Sequence, residues 1–189
     1  MNSPRKIIVA ITGASGSIYA KRLLEYLFEY SQKVDLEVSI VISDNARVVW
    51  QQELSETPQF RFPVYPRRNF SAPFASGSAH YETMVIVPCS MGTLGRIAHG
   101  ISDDLTTRAA DVILKERRNL ICVVRDTPFN LIHIENMRQI TLAGGVILPA
   151  APAFYTNPTT IEQLVDTVVF RILDHLKIPN NSARWGDNL

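Results

Sequence analysis

The stretch Ser102–Phe129, SDDLTTRAADVILKERRNLICVVRDTPF, decides how the chain is read. A helix begun at Ser102 places Leu105, Ala109, Val112 and Ile113 on one broad apolar arc. Arg108 and Lys115, seven residues apart, then share its polar side. The helix stops near Arg118, because LICVV is a short unbroken apolar run rich in β-branched residues, the pattern of a parallel strand buried on both faces. Arg125 and Asp126 stand at the carboxyl end of that strand, and Pro128 closes it. Open α/β sheets bind ligands outside the carboxyl ends of their strands, so a cation and a carboxylate placed there are positioned for chemistry. Either charge alone would read as a salt bridge on a solvated helix end.

Upstream, Lys6–Ile11 reads as a buried first strand, followed by TGASGS and a helix from about Ser17 to Tyr30 with Leu23, Leu24 and Leu27 inward. Gly13 and Gly16 allow close approach of the backbone to a phosphate, and the free N–H groups of the helix start, with the Ser15 and Ser17 hydroxyls, can bind it. The spacing is G-x-x-G, not the dinucleotide G-x-G-x-x-G. The second strand, EVSIVIS, ends in Ser43 where a ribose-binding acid is sought; Asp44, one residue later, keeps a dinucleotide reading open. A mononucleotide with one phosphate fits better, although an ordinary β–α turn with a serine cap has the same letters. Asn45–Leu54 is expected to be a helix with Val48 and Val49 inward and Glu53 near its end. Ser55–Tyr81, with four prolines and the run ASGSA, reads as a lid or subunit contact in which Ser76 and Gly77 offer donors to an anion.

Met84–Val87 is the next strand, and PCSMGTLGRIAHG after it repeats the first turn, with Ser90 and Thr93 at a second helix start. Two such turns can hold the two ends of one ligand. Beyond the central stretch come a helix from about Asn130 to Ala143, a glycine pair, and the strand VILPAAPAFY, which places Tyr155 on the ligand side. A last helix, about Thr160–Leu176, is expected to bury Ile161, Leu164, Val168 and Ile172 and to carry Arg171 at the margin of that face. Trp185, in an otherwise polar tail, is expected to cover a neighbouring subunit or the mouth of the site.

The 189 residues suffice for one α/β domain, expected over 1–178, with a tail at 179–189. Nineteen basic and eighteen acidic residues leave a formal charge of +1, so no sequence-wide field recruits nucleic acid or an anionic membrane. Cys89 and Cys122 lie in apolar runs without metal spacing, which fits a reducing, cytoplasmic compartment. His80, His99, His133 and His175 are scattered, so no metal is expected. No apolar run approaches the roughly 20 residues of a membrane span. The strand ends thus gather Thr12–Ser15, Ser43, Ser90–Thr93, Arg125, Asp126 and Tyr155: phosphate binders with few acid–base groups. Lys115, Arg125 and Arg171 exceed the need of one phosphate monoester. The residues by themselves describe a mononucleotide-binding α/β protein with an extra anion site.

At these positions the chain resembles the UbiX-type flavin prenyltransferases. TGASG, SDNARVVWQQE, ASGS, MVIVPCSMGTL, LTTRAADVILKERR, VVRDTPF, ENM, GGVILPAAPAFY and RW follow one another in the family's order. The resemblance implies a single-domain, flavodoxin-like or Rossmann-like three-layer α/β sandwich with a mostly parallel sheet. It implies FMN without metal, and a homododecamer with active sites between subunits. It also implies transfer of the dimethylallyl group of dimethylallyl monophosphate to N5 and C6 of reduced FMN. The prenylated FMN is the cofactor of UbiD-type decarboxylases, in ubiquinone biosynthesis among other pathways.

Carried onto this chain, the resemblance implies that Gly13, Ala14, Ser15, Ser43, Ser90, Met91, Gly92, Thr93 and Arg125 hold the flavin. Ser76, Gly77, Arg108, Lys115, Tyr155 and Arg171 would surround the prenyl phosphate, some from another subunit. Ser15 and Glu53 would manage the N5 proton, with Lys115 and Asp126 acting at the phosphate. Here the chain departs from the family, which usually has glutamate where Asp126 stands, so its carboxylate is one methylene shorter. Competing readings are an FMN-dependent decarboxylase of the peptidyl-cysteine type, whose P-A-S-A-N-T motif is replaced here by PCSMGT, a direct aromatic acid decarboxylase, and a non-enzymatic FMN carrier. A carrier would have no use for Lys115, Tyr155 and Arg171.

Overall fold

Strands β1 (Arg5–Ile11), β2 (Leu36–Ile42), β3 (Val64–Tyr65), β4 (Thr83–Cys89), β5 (Asn119–Val124) and β6 (Val146–Pro149) form one sheet in the order β3-β2-β1-β4-β5-β6. Every neighbouring pair is parallel. The computed structural model describes residues 4–182 and 186, so Trp185 and its expected covering role lie outside the described residues. The helices are α1 (Ser17–Ser31), α2 (Asp44–Leu54), α3 (Met91–Ala98), α4 (Leu105–Lys115), α5 (Leu131–Leu142) and α6 (Ile161–His175). Among the described residues, no helix is long and apolar enough to cross a membrane.

Alternation along β1 sorts the layers. Ile7, Val9 and Ile11 face a core completed by Leu23 and Leu27 of α1, Trp50 of α2, and Val169 and Ile172 of α6. Ile8 and Ala10 face the opposite core, built with Leu94 of α3, Leu105 and Ile113 of α4, and Ile140 of α5. Both faces of the sheet are covered, which is why its strands read as unbroken apolar runs rather than alternating ones. β1 lies between β2 and β4, and the helices that follow β1 and β4 depart to opposite faces. A crevice therefore opens between their carboxyl ends, the switch point where doubly wound sheets bind ligands.

Several local expectations are corrected. The central helix starts at Leu105, not Ser102, because Asp104 caps it: the Thr107 amide donates to Asp104 Oδ1 at 2.8 Å, and the Asp104 amide donates to Thr107 Oγ1 at 3.2 Å. In α2, Ala46 and Trp50 face inward while Val48 is exposed, since residues four apart share a helix face and adjacent ones do not. In α6, Ile161 is 69% exposed and the core face runs through Val165, Val168, Val169 and Ile172. The strand read as VILPAAPAFY ends at Pro149. The long segment after α2 contributes β3, which pairs with Ile40 and Val41 and makes the sheet six-stranded.

Candidate functional site

Two turns meet at the switch point, one after β1 and one after β4. The Thr12 hydroxyl joins them, donating to the Pro88 carbonyl at 2.7 Å and accepting the Ser90 amide at 2.8 Å. Gly13 lies against the start of α2: a Cβ there would stand 2.6 Å from the Cβ of Asn45. Gly16 turns the chain into α1 with φ of 113°, a conformation open to glycine. Ser43 caps α2 by accepting the Ala46 amide at 3.1 Å. Ser90 caps α3, accepting the Thr93 amide at 3.3 Å and donating its own proton to Thr93 Oγ1 at 3.0 Å. The Arg125 amide donates to the Cys89 carbonyl at 3.4 Å, which seats Arg125 beside the second turn. Burial raises the Tyr19 phenol above its ordinary value and the Arg125 charge partly offsets this, so the guanidinium also stands near α1.

The amino end of α1 corrects the sequence reading. Its Gly16 and Ser17 amides are not free for a phosphate: both donate to the Glu53 carboxylate, at 3.0 and 2.7 Å. Burial pushes the Glu53 carboxyl upward, but hydrogen bonds from the Ser15 hydroxyl and from the Ser17 and Gly16 amides outweigh it and hold the group below its ordinary value. Glu53 is thus no idle surface glutamate. It keeps an ionised carboxylate tied to Ser15 at the edge of the crevice.

The residues expected to form a second anion site lie elsewhere. Lys115 Nζ donates to Glu116 Oε1 at 2.6 Å, Arg118 donates to the Gly77 carbonyl at 2.6 Å, and Arg108 Nε donates to the Ala75 carbonyl at 3.1 Å. A Cβ at Gly77 would overlap the Glu116 carboxylate. The structure therefore sets the segment holding Ser76 and Gly77 against α4, with Lys115 at the end of that helix and Arg108 two turns earlier. Because β5 begins at Asn119, Lys115 and its neighbours sit at the amino ends of the strands. The two turns after β1 and β4 sit at the carboxyl ends, and a strand of six residues spans about 20 Å.

Tyr155 and Arg171 occupy a third place, a groove of about 990 Å³ between β6, α6 and residues 151–159. Apolar side chains such as Leu148 and Phe170 form part of its lining. Arg171 is paired with Asp174 at 2.7 Å. Asp126 is exposed at the end of β5, where its Oδ1 accepts the Thr127 amide at 2.8 Å. Sequence reading missed Arg96 and Asp104. Asp104 is 2% exposed and binds Arg67 and Arg96, each at 2.9 Å. Its signal was present in DLTT, an aspartate followed three residues later by a hydroxyl side chain before an apolar run.

The family model described as Flavoprotein matches residues 1–173. The flavin prenyltransferase UbiX of Methanocaldococcus jannaschii is 45% identical over 186 residues, covering 96% of this chain and 98% of its own. Among solved structures, AnUbiX in complex with FMN and dimethylallyl pyrophosphate aligns with a TM-score of 0.89 at 38% identity, over 96% of this chain and 99% of its own. A dodecameric FMN-dependent UbiX-like decarboxylase from Escherichia coli O157:H7 aligns with a TM-score of 0.88 at 35% identity, over 97% of this chain and 100% of its own. Matched at this level along almost its entire length, the chain belongs to the Flavoprotein family, among the UbiX-type flavin prenyltransferases.

Proposed function

We propose that the protein is a flavin prenyltransferase that joins the dimethylallyl group of dimethylallyl monophosphate to reduced FMN. The observation that carries this reading is the alignment with a solved relative in complex with both FMN and dimethylallyl pyrophosphate. The residues present fit a flavin. The Thr12 clamp fixes the two turns, Gly13 leaves no space for a side chain, and Ser43, Thr93 and Arg125 supply donors at the switch point, with Ser90 orienting Thr93.

When bound and reduced, FMN supplies nucleophilic N5 and C6 positions. Glu53, held ionised and hydrogen-bonded to Ser15, can receive the N5 proton through that hydroxyl. Ser76, Gly77, Arg108, Lys115, Tyr155 and Arg171 bind the donor phosphate and stabilise the charge that grows on it as the allylic carbon departs. Asp126, beside Arg125, handles a proton at the leaving phosphate. No protein nucleophile is required.

Lys115 and the flavin turns lie at opposite ends of the strands, which supports a site completed by neighbouring copies in a homododecamer. The apolar exposure of Leu131, Ile132 and Phe154, at 70%, 69% and 69%, supports burial of these surfaces between copies. The proposal extends to a cytoplasmic location and to a UbiD-type decarboxylase as recipient of the product.

The test is anaerobic incubation of the protein with reduced FMN and dimethylallyl monophosphate, followed by mass spectrometry of the flavin. Gain of one C5 prenyl unit is expected. Bound but unchanged FMN would favour the carrier reading, and absence of flavin binding would overturn both.

A further inference from the structure

Arg96 lies in α3, one turn beyond Thr93, and the activity as read so far gives it no task. Its guanidinium nevertheless makes three side-chain hydrogen bonds. Nη2 donates to Thr93 Oγ1 at 3.3 Å, while Nη1 donates to Asp103 Oδ1 at 2.6 Å and to Asp104 Oδ2 at 2.9 Å. Burial works against the Arg96 charge, but hydrogen bonds to Asp104 and Asp103 outweigh it and secure the cation. Asp104 is in turn fixed by Arg67 and by the Thr107 amide at the start of α4.

The consequence falls on one proton. A threonine hydroxyl has two lone pairs and a single hydrogen. Ser90 Oγ donates to Thr93 Oγ1 at 3.0 Å and Arg96 donates to it at 3.3 Å, so both lone pairs are filled from within the protein. The capacity that remains is donation. Thr93 is only 4% exposed and sits in the first turn of α3, at the switch-point crevice. There a hydroxyl polarised by an adjacent cation is a stronger donor than an isolated one.

We propose that Arg96 is a positioning residue that commits the Thr93 hydroxyl to donating its proton to an acceptor of the bound flavin. The inference rests on the reading of Ser90–Thr93 as a flavin contact. It also gives Asp104 a second task, since the same carboxylate caps α4, which carries Arg108 and Lys115. The α3 flavin turn and the α4 phosphate helix are thereby indexed to one buried charge. Lysine cannot replace Arg96, because a single ammonium lacks the planar fork that reaches Thr93 with one nitrogen and both aspartates with the other.

A double-mutant cycle on FMN affinity tests this, read by quenching of flavin fluorescence and by the absorption maxima of bound FMN. Thr93→Val is expected to weaken FMN about five- to tenfold, the scale of one hydrogen bond to a polar ligand. Arg96→Met should weaken it comparably, with the same spectral shift, and Arg96→Lys should stay weaker than wild type. The double variant should bind no worse than Thr93→Val alone, because the two residues act through one hydroxyl. Additive losses would overturn the inference while leaving the flavin reading intact. So would an Arg96→Met protein that melts earlier yet binds FMN as wild type does. A wild-type protein that fails to bind FMN would remove both.

Discussion

The Glu53 carboxylate accepts the Ser17 amide at 2.7 Å across 36 residues of chain, binding the end of α2 to the start of α1. The depressed Glu53 pKa makes this contact pH-dependent. Its stabilisation is complete above the ordinary glutamate value of about 4.3 and is lost as pH falls through the lower folded value. Glu53→Gln removes that titration. Between about pH 6 and about pH 3 the urea midpoint of the wild type should therefore fall further than that of the variant. Parallel falls would show that the carboxylate contributes nothing through its charge.

Asp126 stands where the family resemblance leads one to expect glutamate, and its Oδ1 is held by the adjacent Thr127 amide. Asp126→Ala should lose prenyl transfer by about 100-fold or more, the scale of one positioned acid–base group. Asp126→Glu should match or exceed the wild type, since the longer arm escapes the local amide. Single-turnover rates decide this, and wild-type turnover in Asp126→Ala would remove the residue from the mechanism.

Gly13 and Gly92 make a matched pair. Alanine at Gly13 drives a Cβ into Asn45, whereas alanine at Gly92 meets nothing within 4 Å. Gly13→Ala is expected to cost about 1–3 kcal/mol and to weaken FMN binding. Gly92→Ala, inside α3, should be stabilised by about 0.5–1 kcal/mol. Any loss of FMN affinity in that better-folded variant reports direct flavin contact, and titration calorimetry beside thermal melts separates the two effects.

Asp104 combines a helix cap with two arginine partners. Asp104→Ala loses the cap, worth about 1 kcal/mol, and leaves Arg67 and Arg96 without their carboxylate. Both arginines keep some solvent access, so the total loss should be about 2–3 kcal/mol. Asp104→Asn preserves the cap and should lose less. Urea unfolding that ranks the asparagine variant below the alanine variant would contradict this division.

Ile132 and Phe154 expose apolar side chains beside the carboxyl ends of the strands. Aspartate at both positions should reduce the proposed dodecamer to smaller species in sedimentation velocity without lowering the melting transition of the separate chain. An unchanged sedimentation profile would place the subunit contact elsewhere.

The runs IIVAI and LICVV announce a two-sided parallel sheet because such a strand is buried on both faces, and their shortness and β-branched content separate them from a buried helix segment. β3 was illegible. Its two residues lie between Pro63 and Pro66, and it is held by pairing to β2 rather than by any pattern of its own. The inward face of α2 was misjudged because VVW offers three adjacent apolar residues, and only packing selects Trp50 over Val48. Glu53 could not be understood from its neighbours, since its partners are a whole strand and helix away. The distance of Lys115 from the flavin turns was legible in principle. A helix that leads into a parallel strand must end at that strand's amino side, which agrees with the expectation that some donor-phosphate residues come from another subunit.

That separation has a genetic consequence. A chain with Lys115→Ala keeps its flavin turns at one end of the strands, and a chain with Gly13→Ala keeps its cations at the other. With the site completed between copies as proposed, each homogeneous assembly should be impaired, but mixed assemblies obtained by co-expression should recover activity, because an intact half from one copy would meet an intact half from the next. On the proposed assembly, complementation between two impaired alleles would follow from the polarity of a parallel sheet.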